Sequence, residues 1–379
     1  MRISILLILL SLSSLIFAQK EFKINLKSKK YIHSLQFSAE NGVMVSNGTE
    51  LADKLIDHSY YNGLDIQLGW TKTNIENTYN KVYRFPTLGI GWYSSTFHNS
   101  NIGNPNALYF FFNIPIHFEE NKRLTGSYIG AFGLSYNFNP YNENNNTANV
   151  LIGSYQNCYL HMGYNLNYHI SNMLSVFGSA GFKHFSNGAF KLPNKGINLF
   201  PIGLGVKYKF SGKKLERPVA PPAPFISHNQ WNIMLAVGSK NYKHDDPNYL
   251  KSTLGFNYLR QFSYKYRLGA GMDFFYSTAS DLRNHSSQSG FSKSVSYALV
   301  ASWEWVINRI VYAPIGFGYY IHRNFENGEE KNYYERIGLR VRLSEHYNLG
   351  VTIKAHGGHA DFFECTFAYT FHKDPNAYQ

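Results

Sequence analysis

The feature that most constrains the fold of this 379-residue chain is an alternation of apolar and polar residues at period two. The alternation comes in segments of about ten residues or more, long enough for tilted strands to cross a bilayer. Each segment ends in polar or Gly/Asn-rich residues, and after residue 18 no apolar run is long enough for a membrane-spanning helix. Eight segments precede residue 211: 31–42, 60–72, 82–96, 107–118, 123–138, 156–170, 172–186 and 196–210.

A charged, Pro-rich stretch, residues 211–230, interrupts the alternation and is typical of an extended linker. Eight more segments follow it: 231–240, 250–263, 265–279, 293–306, 309–322, 333–343, 347–356 and 360–371. Connections in the first half alternate between long and shorter, which is typical of an all-β, transmembrane, antiparallel up-and-down barrel. Because an even strand number returns both ends of each half to one side, we predict two tandem eight-stranded barrels. A single sixteen-stranded barrel is the alternative.

The N-terminal residues 1–18, MRISILLILLSLSSLIFA, have the basic start, apolar centre and small final residue of a secretory signal peptide. The predicted organisation is a signal peptide at 1–18, a first barrel at 19–210, a linker at 211–230 and a second barrel at 231–379. An exported chain of membrane-spanning strands is expected in the outer membrane of a Gram-negative-type envelope.

The net charge indicates which class of molecule the protein binds, and the positions of the cysteines indicate whether they form a disulfide. The net charge of +12 is spread along the chain without a basic tract, which fits an anionic surface such as phosphorylated lipid and gives little support to nucleic-acid binding. The two cysteines, Cys158 and Cys365, fall in different halves on apolar strand faces, so we expect free thiols rather than a disulfide. The oligomeric state stays open.

A polar cluster interrupts an apolar strand face in the run KHFSNGAFKLPNKGINLF, residues 183–200. Strand parity puts His184, Ser186 and Asn198 on the outward face, and pairing residue 184 opposite residue 198 makes the three side chains neighbours. Polar groups facing lipid are costly unless they are hydrogen-bonded or functional.

These three residue types are those of a serine hydrolase site. A histidine can take the proton of a serine hydroxyl, and an amide oxygen can hold the imidazole in the required tautomer. Asn187, Gly188 and Asn194 lie in the connecting loop and are candidate oxyanion donors. A site facing hydrocarbon meets acyl chains, which favours an ester substrate. A polar barrel rim without activity, in a structural or adhesion protein, is the alternative, and a soluble secreted hydrolase is less favoured.

The run HFSNGAFKLPNKGIN resembles the active-site hairpin of the PagL-type lipid A 3-O-deacylases, outer-membrane barrels that remove an ester-linked acyl chain from lipopolysaccharide. The family pattern is His-x-Ser-Asn, a loop with Pro-Asn and Gly, and an acidic residue fourteen positions after the histidine. The resemblance implies Ser186 as nucleophile, His184 as base and lipid A as substrate. We expect no cofactor or metal at this site. The resemblance covers the first half of the chain, about residues 31–210, and departs from the pattern at Asn198, which stands in place of the acid.

The second half is expected to be catalytically silent. Aligning Lys354 with Lys183 puts Ala355 at the position of His184 and Gly357 at that of Ser186. His356, His359 and Asp361 follow, and we interpret them as ordinary polar residues of a barrel rim rather than as a metal site.

Overall fold

The computed structural model describes residues 30–45, 50–57, 59–118, 122–215, 218, 220–280, 294–371 and 375. The predicted signal peptide, residues 1–18, lies outside the described residues. In the described ranges the chain forms two closed antiparallel barrels of eight strands each. The predicted fold class is therefore confirmed, and the alternative of one sixteen-stranded barrel is wrong.

The first barrel closes through pairing of its last strand with its first. Its strands are β1 (Tyr31–Val45), β2 (Tyr61–Lys72), β3 (Thr87–Thr96), β4 (Gly103–Pro115), β5 (Leu124–Phe138), β6 (Asn157–His169), β7 (Leu174–Ser186) and β8 (Ile197–Lys209). Helix α1 (Glu50–Asp57) lies in the link between β1 and β2. Helix α2 (Thr78–Tyr83) lies between β2 and β3, at the opposite end of the barrel.

The second barrel closes in the same way, with β16 paired to β9. Its strands are β9 (His228–Lys240), β10 (Tyr249–Gln261), β11 (Tyr266–Ser277), β12 (Val295–Val306), β13 (Val311–His322), β14 (Tyr333–Arg342), β15 (Tyr347–His356) and β16 (His359–Phe371). A short 3-10 helix, Phe325–Asn327, follows β13. In the described part of the chain, no helix has the length and apolar character needed to cross a membrane.

One predicted strand begins later than the alternation suggests. The segment predicted at 82–96 is a strand only from Thr87, because residues 78–83 form α2. The Asn77 side chain accepts a hydrogen bond from the Asn80 N–H at 3.0 Å and caps this helix. The helix ends where Arg84 adopts a left-handed conformation, with φ of 58°. The local cap therefore overrides the alternating pattern at the start of this segment.

The two faces of the strands differ as the predicted parity requires. The outer face is apolar, and Phe110, Ile202 and Leu204 are 72%, 72% and 75% exposed. The interior of the first barrel is polar and filled, since the Lys183 Nζ donates to both carboxylate oxygens of Glu40 at 2.7 Å. Both of these side chains are buried, and the ammonium also lies 3.8 Å from the centre of the Tyr93 ring.

The two barrels contact each other near α2. The Tyr83 hydroxyl donates to the carbonyl oxygen of Val306 at 2.5 Å and accepts from the Trp305 indole N–H at 2.8 Å. The Phe112 ring packs edge-on against Trp305, with 5.4 Å between ring centres. The end of β12 thus lies against α2 and the outer face of β4.

Candidate active site

The three residues singled out from the sequence lie together at one end of the hairpin β7–β8. The strand register places His184 directly opposite Asn198, which is the pairing that makes the three side chains neighbours. Ser186 follows two residues later on the same face of β7. The hairpin brings the three side chains into direct contact.

Two hydrogen bonds link the cluster into a chain. The His184 Nδ1 lies 2.6 Å from the Asn198 Oδ1, and the His184 Nε2 lies 2.9 Å from the Ser186 Oγ. Because an amide oxygen can only accept, the proton of the neutral ring is on Nδ1. The Nε2 atom is then an acceptor aimed at the serine hydroxyl, which is the arrangement of a general base beside its nucleophile.

The cluster is more enclosed than an exposed barrel rim. Ser186 is only 3% exposed, and His184 and Asn198 are half-buried. On the outer face of the barrel, Cys158 pairs with Ser186 across β6 and β7, and Leu160 pairs with His184. The predicted free state of both cysteines is confirmed, and Cys158 lies beside the candidate nucleophile. Its proximity depends on the β6–β7 register, which the parity of single strands does not give.

Gly196 determines how closely the loop approaches the imidazole. A Cβ at this position would lie 2.8 Å from the His184 Cε1, closer than carbon atoms ordinarily approach. The φ of Gly196 is also +75°, a conformation that side-chain-bearing residues rarely adopt. The Gly196 N–H donates to the Leu151 carbonyl at 2.9 Å, so the loop between β5 and β6 supports this position.

The three oxyanion candidates have different roles in the loop. The Asn187 N–H donates to the Asn194 Oδ1 at 3.0 Å, and the Asn187 side-chain amide donates to the Ser154 Oγ and the Lys191 carbonyl. Asn187 is therefore engaged in holding the loop together. Among the described residues, neither the Gly188 N–H nor the Asn194 Nδ2 makes a hydrogen bond. These two donors are the ones free to meet a developing oxyanion.

No carboxylate replaces Asn198 as the partner of His184 in the described part of the chain. Both ring nitrogens are engaged, one by Asn198 and one by Ser186. The nearby acids Glu40 and Asp65 face the interior of the barrel and pair with Lys183. Asn198 is thus the side-chain partner of the His184 Nδ1 in this part of the chain.

The second barrel gathers a different set of polar residues. Asp361 is buried in β16 rather than lying in a turn, and it meets Glu329 and His356 within possible metal-ligand distance. His359 is exposed and not part of this group. The ammonium of Lys354 bonds to both carboxylates, and Lys240 and Lys251 bond to Asp361 at 2.6 and 2.9 Å. Three ammonium groups already neutralise the two carboxylates, so the set does not fit a cation.

Neighbouring positive charges also determine the ionisation state of Glu329, which lies in the loop between β13 and β14. Burial by itself raises the pKa of this carboxyl, but the Lys354 and Lys251 ammoniums and the His356 hydrogen bond outweigh burial and lower the pKa to about 2. Glu329 therefore stays ionised as a partner of the lysines.

The hairpin β15–β16 lacks the candidate catalytic pair at the aligned positions. Lys354 is fully buried and paired like Lys183, which supports the alignment of the two strands. Ala355 stands at the position of His184, and Gly357 lies in the tight turn Gly357–Gly358. Both turn glycines have positive φ, of 62° and 78°, as a two-residue hairpin turn requires.

Comparison with known families places the second barrel. Residues 229–373, which span β9 to β16, match the family model described as acyloxyacyl hydrolase, C-terminal domain. Over these residues the second barrel is similar to that domain. The match supports the resemblance to the PagL-type family, but it lies in the second barrel, whereas the sequence placed the resemblance in the first half of the chain.

Comparisons with whole proteins give weaker similarities than the family model does. No curated protein matches the chain. The crystal structure of the outer-membrane enzyme PagL is similar over 45% of this chain and 97% of its own length, at 16% identity and a TM-score of 0.31. An outer-membrane channel from Pseudomonas putida F1 is similar over 93% of this chain and 99% of its own, at 11% identity and a TM-score of 0.19. The translocator domain of the autotransporter NalP from Neisseria meningitidis covers 95% and 94%, at 10% identity and a TM-score of 0.19. Because these TM-scores are low, they give no information about the function of this chain.

Proposed function

We propose that this chain is an outer-membrane esterase that hydrolyses an ester-linked acyl chain of lipid A. The observation that carries the proposal is the hydrogen-bonded chain from Asn198 through His184 to Ser186, with lengths of 2.6 and 2.9 Å. The family name of the second barrel, acyloxyacyl hydrolase, supports the reaction class.

The proposed reaction begins with transfer of the Ser186 hydroxyl proton to the His184 Nε2 as the Oγ attacks the acyl carbonyl carbon. The tetrahedral oxyanion accepts hydrogen bonds from the Gly188 N–H and the Asn194 Nδ2. When the ester C–O bond breaks, the sugar hydroxyl leaves with the proton from Nε2, and the acyl group stays on Ser186. Water, deprotonated by the same nitrogen, then attacks the acyl carbonyl carbon. The bond from this carbon to the Ser186 Oγ breaks, the Oγ takes the proton back from Nε2, and the fatty acid is released.

Asn198 has a limited part in this sequence. Its oxygen accepts from the Nδ1–H and keeps Nε2 unprotonated and aimed at Ser186. It carries no charge, so it stabilises the imidazolium less than the acid of the family pattern. We therefore expect catalysis with a smaller contribution from the third residue.

The placement of the site supports a membrane lipid as substrate. The site lies on the outer face of a barrel whose exposed surface is apolar, so an acyl chain in the same leaflet would approach the cluster from the side, where His184 and Asn198 are partly exposed. The net charge of +12 favours an anionic lipid such as phosphorylated lipid A.

The decisive experiment is mass spectrometry of lipid A from cells that produce the full-length protein. In cells that produce wild type, the mass of lipid A should fall by that of one ester-linked acyl chain. In cells that produce Ser186→Ala, the mass should be unchanged. Ser179→Ala, on the same strand, is the matched control and should behave as wild type. A folded, inserted wild-type protein that releases no acyl chain contradicts the proposal.

A further inference from the structure

We propose that the second barrel is a positioning element of the active site, in which Phe363 and the backbone of Asn241 hold the oxyanion turn of the first barrel. This inference rests on the proposed function and gives the second barrel a part in it. Neither residue touches the reacting atoms, so both act through the loop that follows Ser186.

The turn after Ser186 is strained. The Phe190 N–H donates to the Asn187 carbonyl at 3.2 Å, and the two residues between them have φ of +61° at Gly188 and +58° at Ala189. Two consecutive positive values are those of a type I′ turn. Glycine adopts this conformation freely, but alanine does not, and such a residue persists only where its surroundings fix it.

Part of those surroundings comes from the second barrel. The Asn241 N–H, at the end of β9, donates to the Ala189 carbonyl at 2.9 Å. The Phe363 ring lies directly over Gly188, since a Cβ there would be 2.3 Å from the Phe363 Cδ2. One contact therefore holds each of the two residues at the corner of the turn.

A second contact between the two barrels lies near this turn. The His244 ring packs edge-on against Tyr141, with 4.9 Å between ring centres, and its Nδ1 lies 3.2 Å from a carboxylate oxygen of Glu143. These residues join the loop between β9 and β10 to the loop between β5 and β6. The latter loop also supports Gly196 through Leu151, so the second barrel meets the loops on both sides of the cluster.

The consequence for catalysis follows from the free Gly188 N–H. This donor is part of the clamped turn, and its direction relative to Ser186 changes if the turn relaxes. A displacement of about 1 Å at a reacting group can cost on the order of a hundredfold in rate. Loosening the junction should therefore lower kcat more than it raises KM.

The experiment uses the full-length protein in detergent micelles with an acylated lipid A substrate. Phe363→Ala should lower kcat by about tenfold to a hundredfold with little change in KM. Phe363→Leu retains bulk over Gly188 and should restore most of the rate. The control Phe367→Ala alters an exposed ring on the same face of β16 and should leave kcat unchanged.

A second pair of variants tests the hydrogen bond to Ala189. Asn241→Pro removes the N–H donor, whereas Asn241→Ala keeps the donor and removes only the side-chain bond to the Asp246 carbonyl. We expect a loss of kcat in Asn241→Pro alone. Equal rates in the two variants would overturn the role assigned to this bond.

Limited trypsin digestion supplies a readout that does not depend on activity. The loop offers Lys191 and Lys195 as cleavage sites, and Phe363→Ala should be cut there several times faster than wild type or Phe367→Ala. Wild-type kcat and cleavage in Phe363→Ala would overturn the inference and leave the proposed function intact. If wild type proves inactive, the proposed function fails, and the cleavage rate by itself decides whether the second barrel holds this loop.

Discussion

The side-chain oxygen of Asn198 lies 2.6 Å from the Nδ1 of His184, in the place where the PagL-type pattern has a carboxylate. An amide fixes the tautomer of the ring but adds no charge to balance the imidazolium that forms during the reaction. Asn198→Glu should therefore raise kcat, with a change of up to about tenfold, while Asn198→Leu should lower it. Initial rates of fatty-acid release measure both effects. A structural barrel without activity would respond to Asn198→Glu only by a loss of stability.

Gly196 should prove essential for the position of the imidazole. Gly196→Ala places a Cβ 2.8 Å from the His184 Cε1 at a φ of +75°, so the ring or the loop must move. We expect a fall in kcat of at least about tenfold in a protein that still folds. Gly178→Ala is the matched control on β7, because its Cβ would meet nothing closer than 3.9 Å. Equal losses in both variants would contradict this prediction.

Asn194 has two separable functions in the proposed mechanism. Its Oδ1 accepts from the Asn187 N–H at 3.0 Å, and its Nδ2 is free to donate to an oxyanion. Asn194→Asp keeps the acceptor and removes the donor, so it should lower kcat by about 10²–10³ without opening the loop to trypsin. Retained activity in Asn194→Asp would assign the residue to loop structure alone.

Glu329 makes the stability of the second barrel depend on pH. Its pKa in the folded protein is about 2, below its ordinary value of 4.5, so the ionised form is favoured by folding. The contribution is fully present above about pH 4.5 and is lost as the pH falls toward 2. Glu329→Gln should lower the free energy of unfolding by roughly 3–5 kcal/mol near neutral pH, because it leaves buried lysines with less compensating charge.

Heat-modified gel migration between pH 2 and 7 tests the Glu329 prediction. The difference between wild type and Glu329→Gln should shrink across the acidic window. Glu330→Gln, an exposed neighbour, should match wild type at every pH. A difference that does not vary with pH would show that lost packing, rather than charge, accounts for the effect.

The barrels and the candidate site follow from the sequence because side chains alternate across a strand, so apolar and polar positions can be assigned to faces without knowing the register. That argument places His184, Ser186 and Asn198 on one surface. It fails at residues 82–86, where the Asn77 cap and the left-handed Arg84 determine the backbone locally. It also misses Cys158 beside Ser186, because neighbours across two strands depend on register.

Contacts between distant parts of the chain carry no local sequence signal. The approach of Phe363 to Gly188 joins residues in different barrels, and no spacing or periodicity relates them. The ion cluster around Asp361 is similar, since its lysines come from β9, β10 and β15. A buried lysine in an otherwise alternating strand, such as Lys354, is the one hint that partners exist, but it does not say which.

The filled interiors of the two barrels bear on how substrate would reach the proposed site. Lys183 is fully buried against the Tyr93 ring inside the first barrel, and Lys251, Lys354 and Phe362 are fully buried inside the second. We therefore expect no continuous aqueous path through either barrel and no ion conductance in a planar bilayer. Substrate and fatty-acid product would then exchange by lateral diffusion within the leaflet, and the fluidity of that leaflet would set an upper bound on the rate of turnover.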